Sequence, residues 1–220
     1  IEGYPQFRLQ LDEHYKSQRK RPDESFLKQK RAIIDLVKNH MPFITVRHAE
    51  FECDDVIATL TAMHSRKGDE CTIISSDSDF IQLHNSFDIQ LYNPVKKSFI
   101  EKPDYDYVVW KSLRGDPTDN ILGIKGIGDK TAHKLVRDPG MLKELFQDKK
   151  KLEIFQRNVN LIRLVDLSQR IDEMEFDYGK YSFDFLYETF DRFEFTSMLK
   201  EKTWNKYCAT FQGLQVSGFD

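Results

Sequence analysis

Three groups of acidic residues constrain this chain more than any other feature, because carboxylates gathered in one cleft repel each other unless cations lie between them. The groups are Glu52 to Asp55, Asp77 to Asp79 and Asp116 to Asp119. The first two follow the strand candidates Phe43 to Val46 and Cys71 to Ile74. In an open α/β sheet the carboxyl ends of the strands converge on one crevice, so we expect the first and second groups to meet in space.

Oxygen ligands without a competing cysteine and histidine set predict a hard cation in this crevice. Mg²⁺ is the natural choice and Mn²⁺ can substitute for it. Two such ions can clamp the attacking and leaving oxygens of a phosphodiester. The alternative is a set of solvated helix caps and turn residues, which is the better interpretation for Asp77 and Asp79 taken alone, whereas the three groups together favour the metal site. The candidate metal ligands are Glu52, Asp54, Asp55, Asp77, Asp79, Asp116 and Asp119.

The order of strand and helix candidates predicts an α/β fold with a central, mostly parallel sheet, followed by a helical region. Pro22 to Ser25 is typical of a helix start, and Asp54 or Asp55 is expected to cap a second helix. From Tyr105 onward the apolar residues have helical spacing. We therefore expect an α/β core at residues 1–102 and a helical region at residues 103–220. Near the end of the core, Ile89 to Tyr92 and Ser98 to Ile100 predict a β-hairpin.

A glycine-rich segment, Gly123 to Ala132, interrupts the helical region and opens a new helix. Glycines let backbone N–H groups approach a phosphate, and a helix N-terminus favours negative charge. A dinucleotide site fits poorly, because no clean strand precedes the glycines and the required βαβ unit is absent. A helix–hairpin–helix that holds a nucleic-acid backbone fits better, and an ordinary glycine-rich turn is the remaining alternative. The candidate DNA-binding residues are Lys125, Gly126, Ile127, Gly128, Lys130, Thr131 and Lys134.

Charge and composition narrow the class of protein. The formal net charge is −3, which taken alone argues mildly against nucleic-acid binding. However, basic residues gather between Lys16 and Arg31, apart from the acidic groups, as suits a protein that grips phosphates in one place and holds cations in another. The chain has no run of about 18 apolar residues, so we expect no membrane contact. Its three cysteines are widely spaced and predict reduced thiols in the cytosol.

Five blocks, in order along the chain, resemble the 5′ nuclease or flap endonuclease superfamily, in particular the phage ribonuclease H-like 5′-3′ exonucleases and the 5′ nuclease domain of DNA polymerase I. The resemblance implies a PIN-like core with a basic arch or clamp near residues 7–25. It also implies a helix–three-turn–helix motif near residues 113–136. The blocks are Phe7-Arg8 with Tyr15 to Arg19, Glu52 to Ile57, Ser76 to Asp79, Gly115 to Asn120 and Gly123 to Ala132.

The resemblance also implies a role for each block. Lys16 and Arg19 would be the catalytic basic residues that contact the scissile phosphate. Glu52, Asp54 and Asp55 would serve a first metal ion, and the other four candidate ligands would serve a second. Gly126 to Thr131 would hold the duplex backbone. The family hairpin also binds K⁺ through backbone carbonyls, and the matching positions are Leu113, Arg114, Leu122, Ile124 and Ile127.

The implied function is a structure-specific 5′-3′ exonuclease or flap endonuclease, which hydrolyses DNA or RNA–DNA 5′ ends during primer removal by two-metal-ion catalysis. Its implied partners are DNA with 5′ flaps, nicks or RNA primers, and a single-strand-binding protein or a polymerase. We expect a monomer in the cytoplasm of a bacterium or a phage-infected cell. A PIN-type RNA-cutting toxin is a weaker alternative, because such toxins usually lack a duplex-binding hairpin.

One departure from the family pattern concerns the first metal. Members carry two further aspartates before the Phe-Arg segment, and this chain starts too late to contain either of them. Glu2 lies near the second of these positions, but its spacing to Phe7 is short and we do not expect it to serve as the replacement. The alternative function is therefore a truncated, inactive relative that only binds branched or duplex DNA.

Overall fold

A computed structural model describes residues 1–179 and 182–212 of the chain. Three 3₁₀ helices lie at Ser78–Asn85, Pro117–Asp119 and Ser168–Glu173. The strands are β1 (Ile44–His48), β2 (Cys71–Ile74), β3 (Ile89–Asn93), β4 (Ser98–Ile100), β5 (Gly115–Asp116), β6 (Ile121–Leu122) and β7 (Met174–Tyr178). The α-helices are α1 (Gln6–Leu11), α2 (Glu24–His40), α3 (Cys53–Lys67), α4 (Tyr107–Arg114), α5 (Asp129–Arg137), α6 (Pro139–Leu145), α7 (Lys149–Ile162), α8 (Phe183–Arg192), α9 (Thr196–Leu199) and α10 (Glu201–Gln212).

These elements form two compact units. The smaller unit comprises Ile1, Arg21–Arg47 and the described residues from Met174 onward. Its helix α2 begins as the sequence predicts, because the Asp23 side chain accepts a hydrogen bond from the backbone N–H of Phe26 at 2.7 Å. The larger unit comprises Glu2–Lys20 and His48–Glu173 and contains every candidate site residue.

The sheet of the larger unit has the order β2-β3-β4. Strands β2 and β3 run parallel, with Cys71 opposite Ile89 and Ile73 opposite Leu91, while β3 and β4 form the antiparallel hairpin that the sequence predicts. The mixed α/β class is confirmed. However, the described sheet is smaller and less parallel than expected, because the first predicted strand pairs with β7 in a separate two-stranded sheet.

Helix α3 places the first acidic group at the edge of this unit. Its N-cap is Glu52 and not Asp54 or Asp55, so the expected cap is wrong by two or three residues. Glu52 and Asp55 instead form a capping box, in which each side chain accepts from the other residue's backbone N–H. The helix ends at Gly68, whose φ of +88° is the left-handed conformation that glycine adopts without cost.

The glycine-rich segment links α4 to α5 through a tight turn. A Cβ atom on Gly123 would lie 2.1 Å from the backbone oxygen of Arg114, so only glycine allows the two strands β5 and β6 to approach this closely. Leu113, Ile124, Ile127 and Ala132 form one apolar cluster under the turn. The helix–hairpin–helix arrangement is therefore held by its own small core.

Two further features complete the fold. The expectation of an all-helical region after Tyr105 missed the short strands β5 and β6 and the strand β7, which are too brief or too polar to show a period-2 pattern. Among the described residues, no helix is both long enough and apolar enough to span a membrane.

Candidate metal and nucleic-acid site

Three of the predicted carboxylates meet in the larger unit. One oxygen from each of Asp79, Asp116 and Asp119 lies within 4.8 Å of the other two. Two local turns aim them. The Asp77 side chain caps the 3₁₀ helix by accepting from the backbone N–H of Asp79 at 2.9 Å, and Asp116 caps the next 3₁₀ turn by accepting from Thr118 N–H at 2.8 Å. Short polar turns thus fix the carboxylates more tightly than flexible loops would.

The donor chemistry of this cluster fits a divalent cation. Its ligand atoms are carboxylate oxygens, which hard ions such as Mg²⁺ prefer, and among the described residues no cysteine or histidine joins the group. Asp116 and Asp119 are each 7% exposed. Buried carboxylates at this separation repel each other strongly, so the cluster is stable only with positive charge close to it.

Part of that positive charge comes from Lys111, a residue of α4 that the sequence analysis missed. It is 5% exposed, and its ammonium contacts Asp79 and lies 2.6 Å from an oxygen of Asp116. Burial alone would lower the pKa of Lys111, but the two carboxylates outweigh burial and raise it. The available sequence signal was a lysine on the same helix face as Val108 and Ser112, both of which are buried.

A second group of contacts joins Glu52 to Asp119. The Tyr15 hydroxyl lies 3.0 Å from a Glu52 oxygen and 3.2 Å from an Asp119 oxygen. Burial, reinforced by the charges of these two carboxylates, raises the pKa of Tyr15 and keeps it protonated. Lys16 contacts Glu52 and lies 3.7 Å from Asp119, while Arg19 lies 2.5 Å from Asp119. The predicted catalytic cations therefore lie beside the predicted metal ligands.

The basic loop, which is the segment that contains Lys16 and Arg19, is hydrogen-bonded to the third acidic group through its backbone. Lys16 N–H donates to the Asp119 carbonyl at 2.9 Å. The Asn120 side-chain amide donates to the carbonyl of His14 at 2.8 Å and to the hydroxyl of Ser17 at 3.2 Å. These hydrogen bonds fix the backbone of the loop, and they do not depend on which groups the Lys16 and Arg19 side chains contact.

Asp55 occupies a different position from the other candidate ligands. It is fully buried, and its two oxygens accept from the Arg8 guanidinium at 2.6 and 2.8 Å. They also accept from the backbone N–H groups of Glu52 at 3.3 Å and Val165 at 2.9 Å. Both oxygens thus already accept hydrogen bonds from the protein, which argues against the predicted metal contact of Asp55. Arg8 also lies 3.0 Å from Glu52, so one guanidinium contacts both acids.

Asp54 lies at the solvent side of the same helix start. Burial raises its pKa to about 6, and the nearby charges of Asp77 and Glu2 add to that shift. Glu2 also lies at this helix start. Its carboxylate accepts from Cys53 N–H at 3.4 Å. The charge of Asp77 acts on Asp54, so the first and second acidic groups lie near each other. The strand-end argument does not explain this, because the strands that precede the two groups belong to different sheets.

The glycine hairpin presents mostly exposed groups. Of the predicted DNA-binding residues, Ile127 is the exception, because its side chain is 9% exposed and packs in the apolar cluster. Three of the predicted K⁺-binding carbonyls already accept a hydrogen bond: Leu113 from Ile124 N–H, Ile124 from Ile127 N–H and Leu122 from the Asn158 amide. Each carbonyl retains a second lone pair. The exposed members are Lys125, Gly126, Gly128, Lys130, Thr131 and Lys134.

The buried Arg8–Asp55 pair gives a stability prediction. Arg8→Met leaves Asp55 charged and unpaired, so the free energy of unfolding should fall by about 3–5 kcal/mol. Arg66→Met breaks the exposed pair with Asp166, whose atoms are 2.8 Å apart, and should cost only about 0–1 kcal/mol. Urea unfolding of both variants compares the two costs. Equal losses would contradict the assignment of Arg8 as the buried partner.

The raised pKa of Asp54 gives a pH prediction. In the folded chain its pKa is about 6, above the ordinary value of 3.8, so the folded state holds the proton more tightly and ionisation of Asp54 costs stability. This cost is absent at pH values below the ordinary pKa and fully present at pH values above the pKa in the folded chain. In EDTA, Asp54→Asn should therefore raise the melting temperature at pH 7.5 and change it little at pH 3.5. The exposed Glu101→Gln variant is the control, and an effect of Asp54→Asn that is the same at both pH values would refute the shift.

Comparisons with known proteins agree with this geometry. The family model described as the 5′-3′ exonuclease N-terminal resolvase-like domain matches residues 2–111, and the model described as the 5′-3′ exonuclease C-terminal SAM fold matches residues 103–179. The flap endonuclease of bacteriophage T5, solved as a pseudo-enzyme–product complex with DNA and metal ions, aligns with a TM-score of 0.60 and 22% identity over 78% of this chain and 74% of its own. At that identity the likeness shows the fold.

Curated relatives include DNA polymerase I proteins. The thermostable enzyme of Thermus thermophilus is 32% identical over 90% of this chain and 26% of its own length. The Deinococcus radiodurans enzyme is 35% identical over 64% of this chain and 15% of its own length. The chain thus spans about a quarter or less of these relatives. The matched models cover the acidic site and the hairpin, and the chain therefore belongs to the 5′-3′ exonuclease family.

Proposed function

We propose that the chain hydrolyses phosphodiester bonds at the 5′ ends of DNA or RNA–DNA strands. The observation that carries the proposal is the meeting of Asp79, Asp116 and Asp119 beside the cations Lys16 and Arg19. Carboxylates suited to divalent ions and cations suited to phosphate then occupy adjacent parts of one surface. A turn-residue role for the acids would give no reason for this convergence.

The cofactor we propose is Mg²⁺ at two positions, with Mn²⁺ as a substitute. Asp79, Asp116 and Asp119 would hold one ion. Glu52 and Asp54 would serve the other, together with Asp77, which we move from the second ion to the first because its charge acts on Asp54. When bound, the ions would stabilise charge on the attacking and leaving oxygens of the phosphodiester. Asp55 is left out of the ligand set because both of its oxygens are occupied by Arg8 and backbone N–H groups.

The protein's own cations would orient the substrate. The Arg19 side chain is 51% exposed and reaches the acidic site from the solvent side, so it can exchange the Asp119 carboxylate for a phosphate oxygen. The Lys16 side chain is 17% exposed and stays closer to Glu52. Positive charge at both depths favours the negative charge that grows on the phosphate in the transition state.

The hairpin would hold the duplex away from the scissile bond. Gly126, Gly128, Lys125 and Lys130 are exposed before and in the first turn of α5, and Lys134 is exposed in its last turn. Such contacts grip phosphates without reading the base sequence. K⁺ bound by the carbonyls of this turn would add positive charge next to the phosphates.

The substrate class we propose is DNA with a 5′ flap, a nick or an RNA primer. The structural neighbour from bacteriophage T5 is a flap endonuclease bound to DNA and metal ions, and the matched region of the polymerase I relatives lies within a longer polymerase. The polymerase I setting supports our proposal that the chain acts during replication next to a polymerase, and we propose a single-strand-binding protein as a further partner. A monomer in the cytoplasm remains a prediction.

The decisive test is cleavage of a 5′-flap oligonucleotide in Mg²⁺. Asp79→Asn should lower the cleavage rate by on the order of 100-fold or more, as when one electrostatic contact to a reacting oxygen is lost, and should leave DNA binding intact. Glu144→Gln, an exposed acid on α6, is the matched control. Turnover by Asp79→Asn at the wild-type rate would overturn the metal site. Salt-sensitive binding without cleavage by the wild-type chain would instead identify a binding module.

The hairpin is tested by the salt dependence of duplex binding. Replacing Lys130 and Lys134 together with methionine should reduce the slope of log K against log salt by about two, since each lost phosphate contact removes about one unit. The control is the double change Lys143→Met and Lys149→Met, which removes the same charge from exposed positions on α6 and α7. Equal slopes for the two double variants would place the duplex elsewhere.

A further inference from the structure

Lys111 is the most deeply buried cation next to the Asp79–Asp116–Asp119 cluster. Its side chain is 6% exposed, compared with 17% for Lys16 and 51% for Arg19. The ammonium contacts Asp79 and lies 2.6 Å from Asp116. A group this deeply buried has little access to a DNA phosphate, so its partners are the carboxylates themselves.

The placement of Lys111 is built into the fold. Helix α4 is capped by Asp106, whose side chain accepts from Val109 N–H at 2.9 Å, and it ends where Asp116 begins the third acidic group. The buried face of α4 carries Val108, Lys111 and Ser112. The position of Lys111 on this face therefore directs its side chain toward the protein interior. Burying an ammonium is costly unless carboxylates compensate it, and here two of them do.

A divalent ion held by this cluster would share two carboxylates with Lys111. Asp79 and Asp116 each use one oxygen for Lys111, and each is also a proposed ligand. Two cations on one pair of carboxylates repel each other, so occupancy by one weakens the other. The same competition means that the cluster carries a compensating charge before any ion arrives.

We propose that Lys111 is a tethered counter-cation of this cluster, which keeps the acidic fold stable without metal and lowers the affinity of the site for a divalent ion. The proposal rests on the metal site of the proposed function. It assigns Lys111 a positioning and affinity-setting role, not direct contact with substrate. It also accounts for a lysine at a place where a neutral side chain would let a metal bind more tightly.

The proposal predicts that Lys111→Met lowers the stability of the metal-free chain and raises its affinity for metal. Without metal, Asp79 and Asp116 lose their neutralising charge, so the melting temperature in EDTA should fall. With metal, the competitor is gone, so affinity for Mn²⁺ should rise, on the order of tenfold or more for one unscreened charge at contact distance. A merely structural lysine predicts that stability and metal affinity fall together.

The experiment is isothermal titration of Mn²⁺ into the whole chain, paired with thermal unfolding in EDTA. Lys111→Arg keeps the charge and should bind Mn²⁺ close to the wild-type affinity. Lys143→Met removes an equal charge from an exposed position on α6 and should change neither measurement. If the wild-type chain binds no Mn²⁺, the metal site of the proposed function fails. If it does bind and Lys111→Met binds equally or more weakly while folded, only the role of Lys111 fails.

A measurement on the wild-type chain covers the case in which Lys111→Met does not fold. The side-chain ammonium signals of the lysines can be followed by ¹⁵N NMR during a Mg²⁺ titration, with the Lys111 signal assigned by its absence in Lys111→Arg. The Lys111 signal should shift or broaden as Mg²⁺ saturates the site, and the Lys143 signal should not. An unchanged Lys111 signal at saturating Mg²⁺ would overturn the proposal.

Discussion

The buried ion pair between Arg8 and Asp55 is the constraint on which the acidic site depends. Arg8 is the one buried residue of α1, and it donates to Asp55, to the carbonyl of Leu161 at 2.9 Å and to that of Arg163 at 3.2 Å. Asp55 in turn accepts from Val165 N–H. One guanidinium thus joins the start of the chain, the first acidic group and the segment after α7. This junction fixes the start of α3, where Tyr15 and Lys16 also hold Glu52 near Asp119.

In the rest of the site, three cations at different depths offset the negative charge of the carboxylates. Lys111 lies deepest, Lys16 lies between, and Arg19 is half exposed. The deep cation neutralises the mostly buried carboxylates Asp79 and Asp116, and the outer one remains available to a phosphate. This gradient lets the same cluster of acids be stable in the folded chain and still accept ligands, although carboxylates alone would be driven apart or protonated.

The sequence predicted that Asp79, Asp116 and Asp119 come together. It could do so because these residues and Asp77 lie in short polar turns next to recognisable strands and helices. The separate role of Asp55 could not be predicted, since it depends on Arg8, a residue distant in sequence that saturates its oxygens. Lys111 was hidden for a similar reason. A lysine inside a helix is usually solvated, and only the fold shows that its face of α4 is buried. Strand β7 was not predicted because its pairing partner, β1, is distant along the sequence.

The docking of the basic loop on Asp119 and Asn120 has a mechanical consequence. The Tyr15 hydroxyl has one proton to donate to either Glu52 or Asp119, and the adjoining residue Lys16 is bonded to the backbone of Asp119. Under the proposed function, a DNA 5′ end that draws Arg19 away from Asp119 would leave the Tyr15 hydroxyl free to direct its hydrogen bond to that carboxylate. The loop would then couple a contact at Arg19 to the orientation of both Glu52 and Asp119.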